Sequence, residues 1–224
     1  TGQQFQTLED AQAWREQHPK PIKLGDGTNP SVSIFVQASR LDELKAKLWT
    51  RIGIVTLCGA LAGSMALLVV ARDGVLFLIA WEVMALAAWL AATVEDDEAE
   101  VRRAGWIYLI ATHAGTLCLI ALFALWRHAT GHSALEPAPD IPARLAGVLF
   151  VLSVVGFGFK AGLMPLHVWL PGAHACAPGH VSAVMSGVML KMGVYGIVRM
   201  TALLPAPAEW WGGLLLTVGA ITGV

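Results

Sequence analysis

The sequence predicts an all-α polytopic membrane protein, and two observations carry that prediction. Apolar runs of about 20 residues, the length that crosses a hydrocarbon core at 1.5 Å per residue, recur along the chain. Only 14% of the 224 residues are charged while 56% are apolar, whereas soluble domains average about a quarter charged. With 15 basic and 16 acidic residues the formal net charge is −1, so there is no basic footprint for nucleic acid. Cys58, Cys118 and Cys176 are odd in number and show no CxxC spacing. They indicate neither a disulfide scaffold nor a structural zinc site, and read as small packing residues.

Residues 1–48 are polar and read as an N-terminal extension, with residues 49–224 forming a transmembrane helical bundle. Thr7 followed by Asp10 predicts a capped short helix that Pro19 would stop, and residues 31–36 alternate like a strand. Leu41, Leu44 and Leu48 share one helical face, an amphipathic lead-in suited to the interface. Five apolar spans follow, at residues 52–71, 74–94, 104–126, 145–170 and 181–200. A sixth run starts near Trp210 and reaches Val224. The chain starts at Thr1 without a signal-peptide pattern, and is expected to be part of a longer membrane protein, truncated at its C-terminus.

Lysines and arginines near the span ends set the orientation. Arg40, Lys45, Lys47, Arg51, Arg102 and Arg103 fall on one side, and Arg72, Arg127, Arg144 and Arg199 on the other. That balance places residues 1–51 and the loop at 95–103 in the cytoplasm. Glu98 with Arg102 and Glu100 with Arg103 stand at helical spacing, so this loop is expected to run into a solvated helical turn.

Within the spans the chemistry rests on a few ionisable side chains, which at membrane depth must face protein or water. Glu82 is mid-span; nine Val, Leu, Ile or Phe residues between 74 and 94 contribute about −0.3 to −0.6 kcal/mol each to insertion and outweigh its cost of about +3 kcal/mol. Lys160 lies among Gly156, Gly158, Gly162 and Pro165, which predicts a helix broken between Lys160 and Pro165, lining a water-filled cavity. Lys191 is central in its span, and gains or loses a proton as charged neighbours approach or withdraw. His113, among Thr112, Gly115 and Thr116, is a relay candidate. His167, His174 and His180 flank the prolines at 165, 171 and 178. With Cys176 they raise a metal or bis-His haem reading, which broken backbone disfavours against hydrogen bonding within a polar loop.

Four segments carry a family resemblance: Phe77-Leu78-Ile79-Ala80-Trp81-Glu82, Ala111-Thr112-His113-Ala114-Gly115, the stretch from Phe159-Lys160-Ala161-Gly162-Leu163-Met164-Pro165 through Trp169-Leu170-Pro171-Gly172-Ala173-His174, and Ser182-Ala183-Val184-Met185-Ser186-Gly187-Val188-Met189-Leu190-Lys191. Together they resemble the antiporter-like proton-pumping subunits of respiratory complex I, Mrp antiporters and group 4 hydrogenases. The third of these branches, with the large membrane subunits of hydrogenase-4 and formate hydrogenlyase, is the most similar. The resemblance covers about residues 52–200 and implies part of an inverted-repeat bundle with one broken helix in each repeat. It leaves residues 1–48 unmatched and implies a second repeat beyond Val224.

By the same resemblance Glu82 is the essential carboxylate, Lys160 the lysine of the broken helix, and Lys191 the lysine that passes protons toward the central axis. The expected proton pathway is Glu82, His113, Lys160, His167 and Lys191, with Glu82 paired to Lys160 within about 4–7 Å. A change in a neighbouring subunit would weaken that pair. The implied protein is a bacterial inner-membrane, non-catalytic ion-translocating subunit of a hydrogenase- or NADH dehydrogenase-type complex. Its partners are other membrane subunits, a soluble redox arm and the bilayer; lacking a cysteine ligand set, it is expected to hold no cofactor itself. Two other readings remain open: a non-pumping membrane anchor, and a cation/proton antiporter subunit of Mrp type.

Overall fold

A computed structural model describes residues 51–94 and 98–223. The expectations for residues 1–48, and for residues 95–97 of the acidic loop, lie outside the described residues. Within them the chain is helical: α1 (Arg51–Val70), α2 (Gly74–Ala92), α3 (Ala99–Thr130), α4 (Ala143–Ala161), α5 (Leu170–Cys176), α6 (Gly179–Leu203) and α7 (Glu209–Thr222). Five of these, α1 to α4 and α6, are long and apolar enough to cross a membrane. α2 shows how such a helix serves two apolar environments. Phe77, Trp81, Met84 and Ala88 are buried in the bundle, while Val75, Ile79, Val83 and Leu90 point outward.

One helix outruns its apolar stretch, and the expected break near Lys160 is present. α3 runs several residues past each end of the apolar stretch 104–126, from Ala99 to Thr130. Its first turn is charged yet still helix-forming, with Arg102 N–H donating to the Glu98 carbonyl at 3.1 Å. The apolar run 145–170 is not one helix, because α4 ends at Ala161, one residue after Lys160. Gly162 stands at φ 71°, a left-handed conformation that favours glycine, and its N–H closes on the Gly158 carbonyl. The chain then turns through Pro165 before α5 starts at Leu170.

One end of the bundle is tied by backbone hydrogen bonds. Gly74 N–H donates to Ser133 O and Leu135 N–H to Arg72 O, each at 2.8 Å, and Ala138 N–H donates to Leu203 O at 2.9 Å. Here Arg199 of α6 donates to the carbonyls of Leu68 (3.1 Å) and Ala71, which the end of α1 leaves without helical partners. Arg72, Arg127, Arg144 and Arg199 all belong to this end, whereas Arg51, Arg102 and Arg103 belong to the other, as the charge sorting predicts.

α4 and α6 pack closely through a glycine. A Cβ on Gly193 would lie 2.5 Å from Ala161 N and 2.7 Å from Phe157 O, both backbone atoms. Only a hydrogen at that position lets the two backbones touch. The contact seats the helix carrying Lys191 directly against the turn carrying Lys160.

Asp73 caps α2, accepting from Val75 N–H at 2.8 Å and Leu76 N–H at 3.2 Å, with the Ser133 hydroxyl on its second oxygen. The Ser133 hydrogen bond, then the Leu76 N–H, hold its carboxyl below the ordinary carboxylate range. A lowered folded-state value means stability that is present above the unfolded value and lost as pH falls through the folded one. Asp73→Ala should therefore cost about 1 kcal/mol at neutral pH, read as a lower thermal midpoint in detergent. The gap from the parent should shrink in acid; a gap independent of pH would contradict this reading.

Candidate functional site

Where α4 ends after Lys160 its last carbonyls lose their helical partners, and the chain satisfies them itself. The Gly158 carbonyl takes Leu163 N–H at 3.1 Å in addition to the cap. The Phe159 carbonyl takes Trp169 Nε1–H at 2.6 Å, so the turn after the break folds back onto the helix end it left. Trp169 is fully buried and meets the Tyr108 ring edge-on, with centroids 5.0 Å apart.

Lys160 sits in this corner with 1% of its surface exposed. Its place in the last turn of α4 sets the ammonium at the negative end of the helix dipole. Nζ donates to Tyr108 Oη at 2.7 Å and lies 4.9 Å from the centre of the same ring. Tyr108 Oη in turn donates to the Ala85 carbonyl of α2 at 3.3 Å, one turn beyond Glu82. Tyr108 thus joins the lysine of α4 to the stretch of α2 that carries the carboxylate. The proton on Nζ is held by few partners, and any change in them alters its hold.

Glu82 pairs with His113, not with Lys160. Its Oε2 lies 3.4 Å from His113 Nε2, and both side chains are partly exposed. No Glu82 oxygen comes within 4.0 Å of Lys160 Nζ, so the two side chains make no direct contact. His113 Nδ1 lies 2.9 Å from the Leu109 carbonyl, which only accepts, so Nδ1 carries a proton. In neutral His113 the lone pair is then on Nε2, facing the carboxylate. The contact is attractive when the pair holds one further proton, on either the imidazole or the carboxyl. Glu82 Oε1 is buried with no hydrogen-bond partner.

Lys191 is exposed on the described bundle, and its Nζ donates to Gly187 O at 2.6 Å and to Ser186 O at 3.5 Å. These carbonyls belong to a π-helical turn, Met185–Met189, within α6. Such turns widen the helix and recur at functional sites. Nearby, His174 Nδ1 lies 2.8 Å from Ser182 Oγ and 3.4 Å from Ser186 Oγ, tying α5 to α6. His167 lies between the break and α5, and its Nδ1 is buried without a partner.

Of the five predicted pathway residues, then, Glu82 and His113 touch, and Lys160, His167 and Lys191 stand apart from them. Sequence reasoning missed Tyr108, Trp169 and the serines at 182 and 186. Tyr108 and Thr112 sit at helical spacing on the buried face of α3, the one signal that marks a polar seam there.

A family model described as the transmembrane region of NADH:quinone oxidoreductase and Mrp antiporters matches residues 71–224. Hydrogenase-4 component B of Escherichia coli (strain K12) is 38% identical over 168 residues, 72% of this chain and 25% of that protein. Formate hydrogenlyase subunit 3 of the same organism is 34% identical over 156 residues, 69% of this chain and 24% of that one. The chain thus spans about a quarter of the length of these curated relatives. Among solved structures, the fold resembles a chain of the archaeal membrane-bound sulfane sulfur reductase (TM-score 0.67, 23% identity, 74% of this chain and 35% of that one). It also resembles a chain of respiratory complex I from Thermus thermophilus (TM-score 0.63, 24% identity, 75% and 37%).

Tyr108→Phe removes the acceptor of a buried Lys160 N–H and should cost about 1–3 kcal/mol. In a Lys160→Met background the same change should cost much less, which a double-mutant cycle of unfolding in detergent measures. Equal costs in the two backgrounds would show that the contact contributes nothing.

Proposed function

The chain belongs to the NADH:quinone oxidoreductase/Mrp antiporter membrane family, and on that footing we propose that it forms part of a proton-translocating membrane subunit of a hydrogenase- or NADH dehydrogenase-type complex. The observation that carries the proposal is the corner at the broken helix. A fully buried lysine ends α4 on one tyrosine hydroxyl, at membrane depth and beside an interrupted helix.

The working parts are Lys160 with Tyr108, Glu82 with His113, and Lys191 with His167 along the outgoing side. At an effective dielectric of about 20, unit charges 4 Å apart attract by about 4 kcal/mol, and the attraction falls as they separate. Because Glu82 is held by His113 outside contact range of Lys160, the carboxylate acts on the lysine through space and through the Tyr108 bridge to α2. A proton moving onto the Glu82–His113 pair removes negative charge from the neighbourhood of Lys160 and loosens its proton. The lysine then releases that proton toward Lys191, whose helix Gly193 seats against the same turn.

Redox chemistry elsewhere in the complex, in a soluble arm joined through neighbouring membrane subunits, would supply the driving change. The bundle would lie in a bacterial inner membrane with residues 1–51 and the loop at 95–103 on the cytoplasmic side. Residues 1–48 would be a polar extension outside the family match, and residues 49–224 a transmembrane helical bundle.

The test uses the complete complex in sealed membrane vesicles. Lys160→Met should abolish proton translocation, and Glu82→Gln should lower it by at least tenfold, at equal complex content. Wild-type coupling in Lys160→Met would refute the mechanism; wild-type coupling in Glu82→Gln and Lys191→Met as well would favour a structural anchor.

A further inference from the structure

We propose that the groove between the first turns of α4 and α7 binds one membrane phospholipid whose headgroup carries both a phosphate and an ammonium, the chemistry of phosphatidylethanolamine. The inference is independent of the proton chemistry above and needs only that the bundle spans a membrane.

The groove has a volume of about 630 Å³ and is lined along one face of α4 by Gly147, Val148, Val151 and Leu152, with Trp210 as the opposing wall on α7. That volume falls in the range of about 300–1,000 Å³ usual for small-molecule sites. Val148, Val151 and Trp210 are exposed on the described bundle. α7 is held beside α4 at two points. Trp211 stacks on Phe150 with centroids 4.3 Å apart, and near the other end of α7 the Thr222 hydroxyl accepts Met164 N–H, in the turn after the break, at 3.1 Å. Gly147 lets the Trp210 ring close in on the groove floor: a Cβ there would lie 3.3 Å from Trp210 Cζ2.

Its length separates an acyl chain from a further helix. From Arg144 at the mouth to Leu152 the lining covers eight positions of α4, about 12 Å at 1.5 Å per residue. One leaflet's share of a hydrocarbon core about 30 Å thick is about 15 Å. The groove thus serves a single leaflet, running inward from the end of a membrane span. A transmembrane helix docked here would need a groove along the whole of α4.

The mouth carries charges of both signs. Arg144 lines it from the second residue of α4, and Glu209, the first residue of α7, stands between Ala208 and Trp210, which both line it. Both charged residues are exposed and, among the described residues, neither forms an ion pair within 4.0 Å, with the other or with any side chain. A guanidinium matches the geometry of a phosphate, and a carboxylate accepts from an ammonium. Asp140, exposed four positions before Arg144, is a second carboxylate ahead of α4, so a headgroup with phosphate alone would meet more negative than positive charge. Trp210 places an indole at the same level, where membrane proteins set aromatic rings among headgroups.

The test counts the lipids retained by the complete complex purified in mild detergent, extracted and quantified by mass spectrometry against protein. Val148→Trp fills the groove and Arg144→Gln removes the phosphate partner. Each should lower retained phosphatidylethanolamine by one molecule per complex and leave phosphatidylglycerol unchanged, at equal complex content. Unchanged phosphatidylethanolamine in both variants would overturn the site, and loss of phosphatidylglycerol instead would overturn the headgroup assignment. A second readout does not depend on a variant folding: a map of the wild-type complex should show an acyl chain along Gly147 and Val151 with its phosphate within hydrogen-bond distance of Arg144. A protein helix in the groove, or an empty groove in a map that resolves lipids elsewhere, would overturn the proposal.

Discussion

A helix that ends among packed neighbours leaves carbonyls without helical partners, and the way the chain pairs them organises this bundle. α4 stops at Ala161, and the following turn returns Trp169 to the Phe159 carbonyl. The same tryptophan packs on Tyr108, and Tyr108 takes the hydrogen bond of Lys160. Backbone satisfaction and lysine placement are therefore one structure. Were the helix continuous, Trp169 would lie further along it and could not reach back to Phe159, and the lysine would lose the dipole end and the corner that bury it.

Close approach between helices extends that corner. The backbone contact at Gly193 sets α6 against the Lys160 turn, and the π turn in α6 supplies carbonyls to Lys191. Arg199 holds the C-terminal end of α6 to the end of α1. Both contacts lie on the C-terminal side of the irregular turn in α6. Around that turn Lys191, His174 and the two serines are gathered by hydrogen bonds.

Much of this was legible in the sequence because hydropathy and helix breakers act locally. The span pattern, the break after Lys160 and the division of the described arginines between the two ends follow from runs of neighbouring residues, and the structure bears them out. The partnerships were not legible, because they join residues far apart in the chain. Lys160 finds Tyr108, 52 positions earlier, and a tyrosine does not interrupt an apolar run enough to be noticed. Opposite charges on Glu82 and Lys160 suggested a pair, yet the carboxylate found a histidine on the adjoining helix. α3 outruns its apolar stretch because charged residues end an apolar run without ending a helix, and the helical spacing of Glu98, Glu100, Arg102 and Arg103 signals this at its start.

The central claim is that Lys160 changes its protonation during turnover. Infrared difference spectra of the complete complex, taken on reduction with and without ¹⁵N-lysine labelling, test it most directly. The account predicts an isotope-sensitive lysine N–H band that appears on reduction and is missing in Lys160→Met. A labelled spectrum identical to that of Lys160→Met would show a lysine that never exchanges its proton, and would contradict the account.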